Sequence, residues 1–216
     1  MNRYKAGFFD LDSTLVYTTA RYRKRVVGNV LNSLGITKYP DWFIDKFWFF
    51  GDRAQTIRDA LLGIDPELVF KNYQEHDTEK GRRKNTRVFD DVEFLDELRK
   101  DGYKIGVVTG GSPHVMNVNV DLIGRHRFDA LVSANLYAMP PLPPKPDPTG
   151  LYLCLEQLGV RPEEAFFVGN GEEDVGVAQS AGVLDILILR GEHEPPKVDA
   201  THRITTLYEL RDILRG

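Results

Sequence analysis

Five short apolar runs, each closing on a turn residue, constrain this chain more than any other feature. They are GFF before Asp10, YKIGVVTGG (Tyr103–Gly111), FDALVSAN (Phe128–Asn135), AFFVGNG (Ala165–Gly171) and LDILILRG (Leu184–Gly191). Runs of this length without polar alternation are what strands buried on both faces require. Helical patterns fill the intervals: DVEFLDELRKDG, SPHVMNVNVDLIG, DPTGLYLCLEQLG and GEEDVGVAQSAG, with TTLYELRDILRG last. Each ends in glycine, the residue that stops a helix in the left-handed conformation. Asp90 or Asp91 is expected to cap the first of these helices and Ser112, ahead of Pro113, the second. Strand and helix in alternation predict an α/β fold, a Rossmann-like parallel sheet of five strands.

From Leu15 to about Asn85 no comparable run occurs. Helical spacing dominates there, interrupted by the aromatic-rich DWFIDKFWFFGD, so residues 15–87 are expected to form an inserted helical cap. Residues 1–14 and 88–216 would then make the core. The aromatics of the cap are expected to pack its helices rather than to form a stacking platform. Connections at Leu15–Thr19 and Asn85–Val88 are short enough to act as hinges.

Charge is unevenly distributed, as would suit a cationic lid that attracts an anionic small molecule. Residues 13–88 hold 14 Lys or Arg against 9 Asp or Glu, whereas the whole chain carries a net charge of −4. So mild a net charge does not by itself point to nucleic acid, and none is expected as a partner. No apolar run approaches the roughly 18 residues of a membrane span, and MNRYKAGFFD has neither the apolar stretch nor the cleavage site of a signal peptide. The expected setting is cytoplasmic, without membrane attachment. Cys154, the single cysteine, cannot form an intrachain disulfide and is expected to be a buried, inert thiol.

In an open parallel sheet, ligands bind beyond the carboxyl ends of the strands. That edge gathers Asp10 and Asp12 from FFDLDST, Thr109 with Gly110 from VVTGGS, and Asn170 with Glu172, Glu173 and Asp174 from VGNGEED. Lys145, stiffened by the prolines of MPPLPPKPDP, precedes the helix leading to that fourth run. Clustered carboxylates repel one another unless a cation offsets them. An oxygen-only donor set favours Mg²⁺ over zinc. Asp10 is then expected to attack phosphorus, giving an aspartyl-phosphate, while Asp12 protonates the leaving alcohol and later deprotonates water. Thr109, Lys145 and backbone N–H groups near Leu11 and Gly110 are expected to hold the phosphoryl oxygens. The substrate expected is a small phosphorylated metabolite.

These motifs, DLDST at Asp10–Thr14, VVTGGS with Thr109, KPDP with Lys145 and VGNGEEDVGVAQSAG from Val168 to Gly182, fall in the order of a known family. The chain resembles the haloacid dehalogenase superfamily, and within it the phosphatases grouped with phosphoglycolate phosphatase. The resemblance covers almost the whole core. It implies a helical cap inserted after the first motif and Mg²⁺-dependent hydrolysis of phosphate monoesters. It also implies a metal site made by Asp10, Asp12, Asn170 and Asp174. One departure is plain: the family usually carries Asp where this chain has Asn170. The amide can still ligate through its oxygen but brings no charge, which implies weaker magnesium binding unless Glu172 or Glu173 compensates.

Three other readings stay open. A phosphomutase shares the core chemistry, a non-catalytic ligand-binding homologue would follow from a weakened metal site, and a dehalogenase would need neither Asp12 nor Mg²⁺, so Asp12 counts against that last reading. Arg53, after the aromatic run, could offer its guanidinium to a substrate carboxylate or second phosphate, or simply begin an exposed helix. The run RYRKR (Arg21–Arg25) is expected to be a solvated helix face. His76, His114, His126, His193 and His202 show no metal-ligand spacing and are expected to carry no chemistry.

Overall fold

The computed structural model describes residues 3–49 and 51–215. The chain divides into two compact units, residues 18–86 and residues 1–17 with 87–216. In chain order the elements are β1 (Ala6–Phe9), β2 (Val16–Thr18), α1 (Ala20–Ser33), α2 (Phe43–Phe49), α3 (Arg53–Ala60), α4 (Pro66–His76), α5 (Glu79–Asn85) and β3 (Thr86–Val88). There follow α6 (Phe94–Lys100), β4 (Lys104–Thr109), α7 (Pro113–Ile123), β5 (Ala130–Ser133), α8 (Thr149–Leu158), β6 (Ala165–Gly169), α9 (Glu172–Ala181), β7 (Leu184–Ile188), β8 (His202–Ile204) and α10 (Leu210–Arg215). No helix among the described residues is long and apolar enough to cross a membrane.

The larger unit is built on a parallel sheet of order β5-β4-β1-β6-β7-β8. All five expected runs form strands, and a sixth, β8, extends the edge beside β7. HRI is three residues long and largely polar, so no apolar run announces it. Side chains alternate across the sheet. Phe9 points into a cluster with Leu95, Leu98, Val107, Val120 and Leu210, while Phe8 joins Val108, Leu151, Cys154, Phe167 and Val177 on the other face. Helices thus cover both faces, as a sheet apolar on both sides requires. Cys154 is fully buried, and burial pushes its thiol up to about 12. A 3₁₀ turn spanning Asp90–Glu93 precedes α6, so neither Asp90 nor Asp91 caps that helix; Phe89 stands at the start of the turn. Ser112 does occupy the cap position of α7.

The segment DWFIDKFWFFGD does not interrupt helical structure; its residues Phe43–Phe49 are themselves α2. Phe43 and Phe47 are buried with Val27, Val30, Leu31, Ile57 and Tyr73, so they pack helices. Asp65 and Pro66 start α4 and Thr78 starts α5, each cap side chain accepting a backbone N–H. Arg23 departs from the solvated face expected for RYRKR: it is buried, donates to the Thr18 carbonyl and lies 4.6 Å over the Phe49 ring. β2 and β3 form a two-stranded ribbon where the chain leaves and re-enters the larger unit.

Candidate active site

The site is built around the end of β1, a central strand paired on both sides by β4 and β6. Asp10 N–H makes the last rung, donating to the Val168 carbonyl at 3.0 Å, and the side chain emerges where the strand stops. The chain then curls tightly. The Leu11 carbonyl accepts from the N–H groups of Thr14, Leu15 and Val16 at 3.2, 2.9 and 3.0 Å. Ser13 closes the curl with φ of 60°, a left-handed conformation uncommon outside glycine. This turn sets Asp12 beside α7, where its Oδ2 accepts from Asn119 Nδ2 at 3.4 Å.

Lys145 arrives from the loop between β5 and α8. That loop is pinned at Asn135, whose Nδ2 donates to the Gly110 carbonyl at 2.7 Å, and at Asp147, which accepts from Thr149 N–H at 2.9 Å. The Lys145 side chain is 5% exposed. Its Nζ donates to Asp10 Oδ1 at 2.7 Å and also to Asp174 Oδ1. Asp174 Oδ2 accepts from the N–H groups of Asn170 and Gly171 at 2.9 and 3.0 Å, so the acid braces the loop between β6 and α9. Gly169 permits this brace, because a methyl group there would overlap the Asp174 side chain. Asn170 Oδ1 accepts from Thr14 Oγ1 at 3.2 Å. Asp10, Lys145, Asp174, Asn170 and Thr14 are therefore one connected chain of contacts.

Electrostatics follow from this crowding. Burial pushes the Asp10 carboxyl up to about 7; Lys145 pulls the other way, and Asp174 and Asp12 add to the rise. Burial and Asp174 likewise push Glu173 up to about 7. Burial would lower Lys145, but Asp10, Asp174 and Glu173 outweigh it and hold the ammonium above its ordinary range. Four carboxylates thus act on one another around one ammonium, an excess of negative charge that fits a divalent cation. Among the described residues no three acidic, imidazole or thiol side chains gather as a metal cage. The oxygens that could hold a cation are those of Asp10 and Asp12 with the amide oxygen of Asn170, a set that leaves positions for water.

Thr109 is buried at the end of β4, one strand from Asp10, and its Oγ1 accepts from Gly111 N–H at 3.2 Å. Gly110 follows at the same sheet edge. Arg53 belongs to the other unit: its guanidinium lies 5.6 Å over the Phe47 ring and donates to the Trp48 carbonyl at 3.4 Å.

Two residues at this edge, Arg190 and Asn119, escape the sequence reading, and two enter it in other roles: Asp91 as a helix cap and His193 as a histidine without chemistry. Arg190 donates to the Thr14 carbonyl through Nε (3.0 Å) and Nη2 (2.7 Å). The same guanidinium grips Asp91 in a buried two-point pair at 2.6 and 2.9 Å, and Asp91 also accepts from Leu207 N–H at 2.7 Å. His193 Nε2 lies 3.2 Å from Asn170 Nδ2. Asn119, fully buried, is the contact of Asp12. Only the position of Arg190 and His193 in the turn after the fifth apolar run hinted at this edge.

Comparison with known proteins agrees with the geometry. Residues 4–182 match the haloacid dehalogenase-like hydrolases. The pyrophosphatase PpaX of Bacillus velezensis is 31% identical over 186 residues, 83% of this chain and 81% of that protein. The phosphoglycolate phosphatase of Aquifex aeolicus is 27% identical over 188 residues, 85% of this chain and 84% of its own. A crystal structure of a haloacid dehalogenase phosphatase from Thermococcus onnurineus superposes with a TM-score of 0.69 at 29% identity, covering 98% of both chains. The chain belongs to the haloacid dehalogenase-like hydrolase family.

Proposed function

We propose that this protein is a phosphatase acting on a small phosphorylated metabolite through an aspartyl-phosphate on Asp10. The observation that carries the reading is the buried Asp10 carboxylate at the end of β1, with Lys145 Nζ at 2.7 Å and Asp12 two residues on. The phosphatase names of the relatives support phosphate esters or anhydrides as the substrate class.

In the first step an Asp10 oxygen forms a bond to phosphorus while the bond to the leaving oxygen breaks; Asp12 gives that oxygen its proton. In the second, Asp12 takes a proton from water as the water oxygen bonds to phosphorus. The Asp10–phosphorus bond then breaks, and inorganic phosphate leaves. Lys145 and Thr109, with backbone N–H groups near Leu11 and Gly110, offset the charge on the phosphoryl oxygens. Mg²⁺, held by Asp10, Asp12 and Asn170, would supply the positive charge that lets a phosphate dianion approach the carboxylate. Asp174 keeps the Asn170 loop in place from its brace on the two N–H groups.

The test is phosphate release from a panel of phosphorylated metabolites, with pyrophosphate included, at saturating Mg²⁺. Turnover should need the metal, vanish in Asp10→Asn and fall by about 10²–10⁴-fold in Asp12→Asn. Transfer of the phosphoryl group to a second hydroxyl instead of water would mark a mutase. A folded protein that turns over nothing in the panel refutes the reading.

A further inference from the structure

An aspartate offers a cation two equivalent oxygens, whichever way its carboxylate lies. An asparagine does not: one end of its amide is an oxygen and the other a doubly protonated nitrogen that repels a cation. A chain that places asparagine in a cation site therefore needs something to fix which end faces the metal.

The hydrogen bonds around Asn170 supply it. His193 Nδ1 lies 2.7 Å from the Glu194 carbonyl oxygen, which can only accept, so Nδ1 carries the hydrogen. Nε2 then keeps a lone pair, and Asn170 Nδ2, which can only donate, faces it at 3.2 Å. With the nitrogen end held by the imidazole, Oδ1 turns to the other side, where it accepts from Thr14 Oγ1 at 3.2 Å. Thr14 is itself anchored, its carbonyl gripped by Arg190 and through it by Asp91. The amide is thus held at both ends by groups on separate segments, but only the imidazole end tells oxygen from nitrogen. Reversing it would set oxygen against the ring lone pair and lose that bond, whereas the Thr14 hydroxyl can accept as well as donate and would bond either end.

We propose that His193 is a positioning residue that holds the Asn170 amide with its oxygen, not its nitrogen, toward the Asp10–Thr14 loop, and so makes asparagine serviceable as a cation ligand. The inference rests on the metal-dependent reading above. Partners of this kind, acting through a ligand, set metal affinity by about 10–100-fold.

The experiment is Mn²⁺ binding to the full chain without substrate, measured by calorimetry and by loss of the free-ion electron paramagnetic resonance signal. Four proteins are compared: wild type, His193→Ala, Asn170→Asp and the double variant. His193→Ala should weaken Mn²⁺ binding about 10-fold. The same change in the Asn170→Asp background should have less than about a 2-fold effect, because a carboxylate needs no orientation. Equal weakening in both backgrounds overturns the proposal, since His193 would then act by packing its loop. No weakening in either overturns it while leaving the metal reading intact. A folded wild type that binds no Mn²⁺ defeats both.

Discussion

Asp77 fastens the unit made by residues 18–86, and replacing it with asparagine should unfasten that unit. Its carboxylate is buried and meets Arg82 Nε and Nη2 at 2.8 Å, while Tyr22 and Tyr73 hydroxyls donate to it at 2.8 and 2.9 Å. Burial alone would raise this carboxyl, but the Arg82 charge and the hydrogen bonds from Arg82, Tyr22 and Tyr73 hold it below the usual carboxylate range. Asp77→Asn keeps the shape, removes the charge and turns one acceptor into a donor facing Arg82 or a tyrosine. Breaking a buried pair in this way costs about 3–5 kcal/mol, which lowers the folding constant by roughly 10²–10³·⁵. The assay is built into the chain: both tryptophans, Trp42 and Trp48, lie in this unit, and Arg82 stacks 5.0 Å over the Trp48 ring. Tryptophan emission in urea should show a lower midpoint with an unchanged slope. The sign with pH also follows. A lowered carboxyl stabilises above its unfolded value, about 3.9, and that stabilisation is lost as pH falls through the folded value. Wild type should therefore weaken in acid more steeply than Asp77→Asn. A variant within about 1 kcal/mol of wild type at neutral pH would refute the argument, because uncompensated burial of Arg82 could not be so cheap.

Two further changes test the active-site loops. Gly169→Ala should displace Asp174 from its brace; losing two charge-assisted hydrogen bonds at about 1.5–3 kcal/mol each should lower stability by about 3 kcal/mol or more and abolish phosphate release, with wild-type urea stability as the contrary result. Arg190→Met leaves Asp91 buried without its counter-charge and should cost about 3–5 kcal/mol. Adding Asp91→Leu should return part of that stability but not turnover, since the Thr14 carbonyl stays unheld; recovery of both in denaturation and phosphate-release assays would show that the pair serves packing alone.

What the sequence makes legible here is what strands and sheet edges impose locally. Buried parallel strands must be apolar throughout, so GFF, KIGVVT, ALVS, AFFVG and LDILI announce themselves, and their ends locate Asp10, Thr109 and Asn170. β8 stays hidden because an edge strand of three residues buries little. Arg23 reads as one charge in a cationic run, yet aromatic packing draws its stem inward. The contacts of Arg190, Asp91, Asn119 and His193 are invisible for a different reason. Their partners lie between 23 and 176 positions away, and only the order of the strands brings them together.

The ribbon of β2 and β3 carries a last implication. Because the Thr19 N–H bonds to the Asn85 carbonyl at 3.0 Å, the two ends of the helical unit are stitched side by side at the point where β2 ends and β3 begins. An insertion whose ends already touch costs its host almost no closure entropy and leaves the host's strand register untouched. The helices between those stitched ends can be lengthened, shortened or exchanged wholesale while Asp10 and Asp12 keep their places.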